Sequence, residues 1–157
     1  MAKLYAIGEA LIDFIPQTRD VELKDVKGFE PQVGGAPANV ASCVSRLGRE
    51  SALITQLGQD AFGDLIEETL QKQGVDTTSI SRTDEANTGL AFVSLTASGE
   101  RDFAFYRKPS ADMLLEASTL NLNFQADDIL HFCSVDLIPS PMKKAHIEAI
   151  EQMEKAN

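Results

Sequence analysis

Apolar residues in this chain fall into short, nearly continuous runs separated by stretches of helical spacing. Leu4-Tyr5-Ala6-Ile7-Gly8 is one such run, and its continuity predicts a strand buried on both faces. Leu11-Ile12-Asp13-Phe14-Ile15 carries the pattern onward, broken by one carboxylate. Residues 16–33 are polar and weakly patterned, an excursion from the core as loop or as a pair of exposed strands. Behind Val33-Gly34-Gly35-Ala36-Pro37-Ala38-Asn39, the residues Val40, Ala41, Val44 and Leu47 recur at helical spacing. Pro37 suits the first turn of that helix and Gly48 its carboxyl-terminal cap. Residues 51–58, Ser-Ala-Leu-Ile-Thr-Gln-Leu-Gly, predict a second buried strand. Asp60 is placed to cap a helix whose stripe is Phe62, Leu65, Ile66 and Leu70, and Gly74-Val75 has the form of a Schellman ending.

Strand, helix, strand, helix in this order predicts a parallel sheet in an α/β fold. From Thr88 the pattern changes. Residues 88–95 and 101–107 read as two strands around the turn chemistry of Ala97-Ser98-Gly99-Glu100, hence an antiparallel hairpin. Period-two alternation puts Phe103, Phe105 and Arg107 on one face. Core packing accounts for the two phenyl rings, but less easily for an arginine beside them. Residues 129–133 predict a last strand. Ser140-Pro141 opens a helix with the stripe Met142, Ala145, Ala149, Ile150 and Met153. His131 and His146 each stand alone, which favours structural roles. There is no internal repeat.

A chain of 157 residues, 43% hydrophobic and 24% charged, fits one soluble domain. Its net charge of −10 repels a phosphate backbone and argues against nucleic-acid binding. No apolar run approaches the ~18 residues that span a bilayer, and Met1-Ala2-Lys3 leads straight into a strand, so no membrane and a cytoplasmic setting are expected. Cys43 and Cys133 lack metal-ligand spacing and are expected as buried, reduced thiols.

Two features carry candidate chemistry. Asp13 stands among four apolar residues, either as a strand-end residue pointing to water or as a carboxylate held in a cleft to accept hydroxyl hydrogen bonds. Gly34-Gly35 before a helix is either a tight turn or a place where backbone approaches a ligand, with Asn39 one turn in. No Lys-Ser/Thr follows the glycines, so this is not a Walker A loop, and Gly-x-Gly-x-x-Gly and nucleophile-elbow patterns are absent from the sequence.

Three segments, Gly8-Glu9-Ala10-Leu11-Ile12-Asp13, Gly34-Gly35-Ala36-Pro37-Ala38-Asn39-Val40-Ala41 and Leu57-Gly58-Gln59-Asp60-Ala61-Phe62-Gly63, resemble the ribokinase or PfkB family of carbohydrate kinases. Thr88-Gly89-Leu90-Ala91-Phe92-Val93, Gly99-Glu100-Arg101-Asp102-Phe103, Phe105-Tyr106-Arg107, Ser110-Ala111-Asp112-Met113-Leu114-Leu115 and residues 131–137 resemble its fructokinase branch. The resemblance implies a three-layer α/β/α ribokinase-like fold with a small β lid, the core at 1–15, 34–87 and 108–157 and the lid at 16–33 and 88–107. It implies ATP-dependent phosphorylation of a sugar, D-fructose first, with 2-keto-3-deoxygluconate or another sugar as the alternative within the fold. A non-catalytic sugar-binding module is the alternative outside it. It also implies that Asp13 and Asn39 bind sugar hydroxyls, that Gly34 and Gly35 let backbone approach the sugar, and that Phe105 and Arg107 come down from the lid. A homodimer through the lid is the assembly it suggests. Members of the family are about twice as long. Their Gly-Ala-Gly-Asp motif, with the catalytic base and anion hole, and most contacts to ATP and Mg lie in the half for which residues 1–157 show no match. The resemblance therefore puts the catalytic base beyond Asn157, and the chain alone is expected to be inactive.

Overall fold

A computed structural model describes residues 2–95 and 101–156. Strands β1 (Leu4–Ile7), β4 (Ser51–Gly58), β5 (Ile80–Thr83) and β8 (Ile129–Phe132) form a parallel sheet in the order β5-β4-β1-β8. Helices α1 (Ala36–Arg46) and α2 (Ala61–Lys72) cover one face, where Ala6, Leu53 and Leu57 meet Ala38, Ala41, Ile66 and Leu70. Helix α3 (Pro141–Ala156) covers the other, where Ile7 and Ile54 meet Met142, Ala145, Ala149 and Met153. Successive strand residues thus serve opposite layers, which is why these strands read as unbroken apolar runs.

The helix ends form as the capping residues dictate. Asp60 accepts from the N–H groups of Phe62 (3.1 Å) and Gly63 (2.8 Å) at the start of α2. Ser140 Oγ accepts from Lys143 N–H (3.3 Å) at the start of α3. Both α1 and α2 end in Schellman motifs. Gly48 and Gly74 have φ of 80° and 83°, and Arg49 and Val75 donate back to the carbonyls of Val44 and Leu70.

A second sheet, in the order β3-β2-β6-β7, is made of β2 (Leu11–Pro16), β3 (Phe29–Gly34), β6 (Gly89–Leu95) and β7 (Arg101–Tyr106). Its β2–β6 pair is parallel and its other pairs antiparallel. This corrects the boundary read from sequence, because β2 belongs to the second sheet and the excursion begins at Leu11 rather than residue 16. One face of the second sheet explains the misreading. Phe14 stacks on Phe92 (4.7 Å) and meets Phe62 of α2 edge-on (5.6 Å), so β2 is as apolar as a core strand. The expected turn at 97–100 lies outside the described residues.

Three further features differ from what the sequence pattern suggested. Strand β5 was not foreseen, since Ile-Ser-Arg-Thr is short and polar and lies at the sheet edge. Cys43 is exposed and Cys133 half-buried, both free, because α1 turns Pro37, Ala38 and Ala41 inward and Cys43 away. Leu47 lies past the last turn of α1, 76% exposed. No described helix is long and apolar enough to cross a membrane.

Candidate functional site

The other face of the second sheet carries Asp13, Gly34 and Phe105, three of the six candidate residues. Register pairs Asp13 with Gln32 on β3 and with Ala91 on β6, and pairs Ala91 with Phe105 on β7. Directly opposed residues share a face, so Gln32, Asp13, Ala91 and Phe105 form one row across the sheet. The next row toward the tip contains Val93 and Phe103, whose ring stacks on that of Phe105 at 5.5 Å. Phe105 is 55% exposed, a large apolar surface left open on that face.

Asp13 is half-buried and makes no hydrogen bond or ion pair with a described residue. Burial pushes its carboxyl above the usual range. The side chain leans over Gly34, where any Cβ would overlap the carboxylate. Gly35 has φ of 101°, and a Cβ there would stand 2.5 Å from the carbonyl oxygen of Glu9. Gly35 is thus required by space and by backbone conformation, whereas a side chain at Gly34 would have to displace the Asp13 carboxylate. Asn39, in the first turn of α1, is exposed. It lines a cavity of about 420 Å³ with Val33, Ser42 and Arg46, a cavity whose lining does not include Asp13.

Arg107 has a different neighbourhood from the one its strand face suggested. Its Nη2 pairs with Asp112 and, at 2.9 Å, with Asp136, and both carboxylates are almost wholly buried. Burial alone would make the guanidinium easier to deprotonate, but these two acids hold it charged. Ser110 also donates to Asp112, whose carboxyl burial nevertheless pushes up. This cluster lies where the chain returns from the second sheet to the core. Glu9 completes it from the opposite stem. It is 4% exposed, accepts from Ala36 N–H (3.0 Å), and feels the charges of Asp136 and Arg107. Burial first, then Asp136, pushes the Glu9 carboxyl above the usual range, against the pull of the Ala36 N–H and Arg107.

Sequence reasoning missed Glu9, Asp112 and Asp136. The signal was the one that singled out Asp13, a carboxylate inside an apolar run: Gly-Glu-Ala-Leu, Ala-Asp-Met-Leu and Val-Asp-Leu. The Gly-x-Asp-x-x-Gly motif is accounted for by structure. Asp60 caps α2 and accepts from Thr88 N–H (2.8 Å), while Gly63 sits against Arg82, the Gly58 carbonyl and Thr88, leaving no room for a side chain. Among the described residues, no three His, Cys, Asp or Glu side chains are grouped to hold a metal. Asn157, beyond which the resemblance puts the catalytic base, lies outside the described residues, which end at Ala156 in α3.

A three-layer core thus carries a second β sheet that presents, beside a glycine corner, a carboxylate without a partner among the described residues. The chain belongs to the pfkB family of carbohydrate kinases, whose family model matches residues 1–157. It is 45% identical over 98% of its length to a fructokinase of Solanum tuberosum and covers 48% of that protein. The crystal structure of a fructokinase from Xylella fastidiosa superposes with a TM-score of 0.87 at 38% identity, covering 98% of this chain and 47% of that one. A fructokinase from Vibrio cholerae with fructose, ADP and calcium bound superposes with a TM-score of 0.87 at 34% identity, with 100% of this chain and 48% of that one covered. The chain thus spans about half the length of the curated relatives it matches.

Proposed function

We propose that residues 1–157 are the sugar-binding half of an ATP-dependent fructokinase that converts D-fructose to fructose 6-phosphate. The observation that carries this reading is the Asp13 carboxylate, half-buried, unpaired among the described residues and leaning over Gly34. An ionised carboxylate is an acceptor only, and a sugar offers hydroxyl donors in pairs. The Gly34–Gly35 corner supplies a backbone wall, and Phe105 supplies an apolar surface for the C–H face of a ring. Asn39 stays in this reading as a second hydroxyl partner on the family resemblance, while α1 turns it toward a cavity that Asp13 does not line. The second sheet acts as a lid, and closing it excludes water from the reacting hydroxyl. ATP and magnesium fall to the second half seen in the relatives, and the catalytic base with them, beyond Asn157. Nothing described here is assigned to any of the three. A homodimer through the lid is part of the same reading, supported by Tyr106, 66% exposed beside Phe92 on the lid's aromatic face.

The test is sugar-dependent ATP turnover by a chain carrying both halves, across D-fructose, 2-keto-3-deoxygluconate and D-ribose. Fructose should give the highest kcat/KM. A preference for the keto-deoxy acid would move the protein to another branch of the family, and no turnover with any sugar would overturn the kinase reading.

A further inference from the structure

The second sheet joins the core through four crossings: residues 8–10, Gly35, residues 84–88 and residues 107–110. Hinges of this kind govern where a lid stands over a site, and an error of ~1 Å there can cost about a hundredfold in rate. Glu9 lies on the first crossing and touches the next. Its Oε1 accepts from the N–H of Ala36, a first-turn donor of α1 that has no partner within its own helix. Its backbone is the floor on which Gly35 rests, since a Cβ on Gly35 would stand 2.5 Å from the Glu9 carbonyl oxygen and 3.0 Å from Ala10 Cα. The fourth crossing arrives beside it. Asp136, paired with Arg107, brings Oδ2 within 3.6 Å of a Cβ built on Gly8. Glu9 Oε2, Asp136 Oδ2 and Arg107 Nε are all buried with no hydrogen-bond partner among the described residues. Buried polar atoms left unsatisfied in one place are costly, and their retention at a hinge calls for a reason beyond packing.

We propose that Glu9 is a positioning residue of the sugar pocket: from the first crossing it holds the amino terminus of α1, and with it the Gly34–Gly35 wall, in register with the ion cluster that anchors the end of β7. Glu9 touches no substrate in this scheme. It sets the distance between the backbone wall and the lid residues Asp13 and Phe105. The inference rests on the sugar-kinase reading for its consequence, but its geometric core is the Glu9–Ala36 hydrogen bond.

Two conservative variants separate reach from charge. Glu9→Gln keeps the acceptor oxygen and chain length and removes the charge. Glu9→Asp keeps the charge but is one methylene too short to reach Ala36. In a chain carrying both halves, E9D should raise KM for the sugar about tenfold with kcat nearly unchanged, the scale of one lost hydrogen bond to a charged group. E9Q should keep a KM close to that of the parent chain. Amide hydrogen exchange at Ala36 should be about tenfold faster in E9D and unchanged in E9Q, and this readout needs no activity. Overturning results are an E9D variant with parental KM and Ala36 exchange, or an E9Q variant impaired as much as E9D. If E9D does not fold, Glu9→Met, which keeps the length and removes the acceptor, takes its place against E9Q with the same expected and overturning results. A parent chain without sugar-dependent turnover would count against the kinase reading alone, leaving the exchange comparison to judge Glu9.

Discussion

A carboxylate half removed from water, with no donor among the described residues, keeps its acceptor capacity free of them, and Asp13 is in that state. Asp13→Ala should weaken fructose binding by about 1.5–3 kcal/mol, roughly ten- to a hundredfold, while ATP binding stays near parental, as isothermal titration of the complete chain would show. Burial holds the Asp13 pKa above its ordinary 3.8, and only the ionised form accepts charge-assisted hydrogen bonds at both oxygens. Fructose affinity should therefore be full at neutral pH and fall as pH drops, with a midpoint above 3.8. Arg107 belongs to the opposite case. Its charge is committed to Asp112 and Asp136, so Arg107→Ala leaves two buried carboxylates uncompensated, at a cost of about 3–5 kcal/mol. At roughly 2–4 °C per kcal/mol, the melting temperature should fall by about ten degrees. A variant with parental melting temperature and a raised KM would instead put Arg107 on the sugar. Asp13 could be singled out in sequence because one carboxylate in an apolar run is conspicuous. Glu9, Asp112 and Asp136 obey the same rule, but their meaning comes from meeting at one point, which no linear spacing displays.

Elements were legible where local chemistry decides them. Gly48 and Gly74 end their helices with positive φ, and Asp60 and Ser140 begin theirs by accepting first-turn N–H groups. What could not be read is which sheet a strand joins. β1 and β2 are both apolar runs, yet β1 lies between two helix layers while β2 packs one face on aromatic rings and turns Asp13 to the other. β5 at the edge is too short and polar to be heard over its loops. Asp60 shows how one capping residue ties elements together, because it also accepts from Thr88 at the start of the return into the second sheet. Burial alone would raise the Asp60 pKa, but the N–H groups of Thr88, Gly63 and Phe62 outweigh it and hold it below 3.8. Asp60→Ala removes the cap, worth about 0.5–2 kcal/mol, and strands the Thr88 donor for about 1 kcal/mol more. Thermal melts should show the variant several degrees less stable at neutral pH. The sign of the shift fixes the pH window: the ionised cap contributes fully above 3.8 and is lost as pH falls through the lower folded value. The gap between parent and variant should close only below that point. A gap that stays constant into strong acid would mean that the carboxylate charge is not what holds the corner.

At the scale of the molecule, alternation of strand and helix was enough to give the layered core, but it cannot show what stands beyond β8. β8 is the edge of the first sheet among the described strands. Ile129, Phe132, Val135, Ile138 and Ile147 on and beside it are each close to half exposed, from 46% to 56%. An unpaired strand edge rimmed by apolar side chains either takes a partner or aggregates. The relatives are about twice as long, and we expect the length that this chain does not match to cover that edge. Residues 1–157 expressed alone should therefore stay soluble poorly and show no sugar-dependent ATP turnover. They contain Asp13 and the glycine wall, while in the proposed function the base for the hydroxyl proton and the anion hole for the transferring phosphoryl group belong to the other half. Sugar binding by the fragment should be weak, since a pocket with half its walls is poorly preorganised. Mixing the fragment with a separately expressed carboxyl-terminal half, with ATP, magnesium and fructose present, should restore turnover. Light scattering on the same samples should fall as β8 and its apolar rim are covered. Turnover by the fragment alone would place the base within residues 1–157 and overturn the division of labour. A mixture that stays inactive, although each half is folded and the two bind each other, would show that covering the edge does not complete the site.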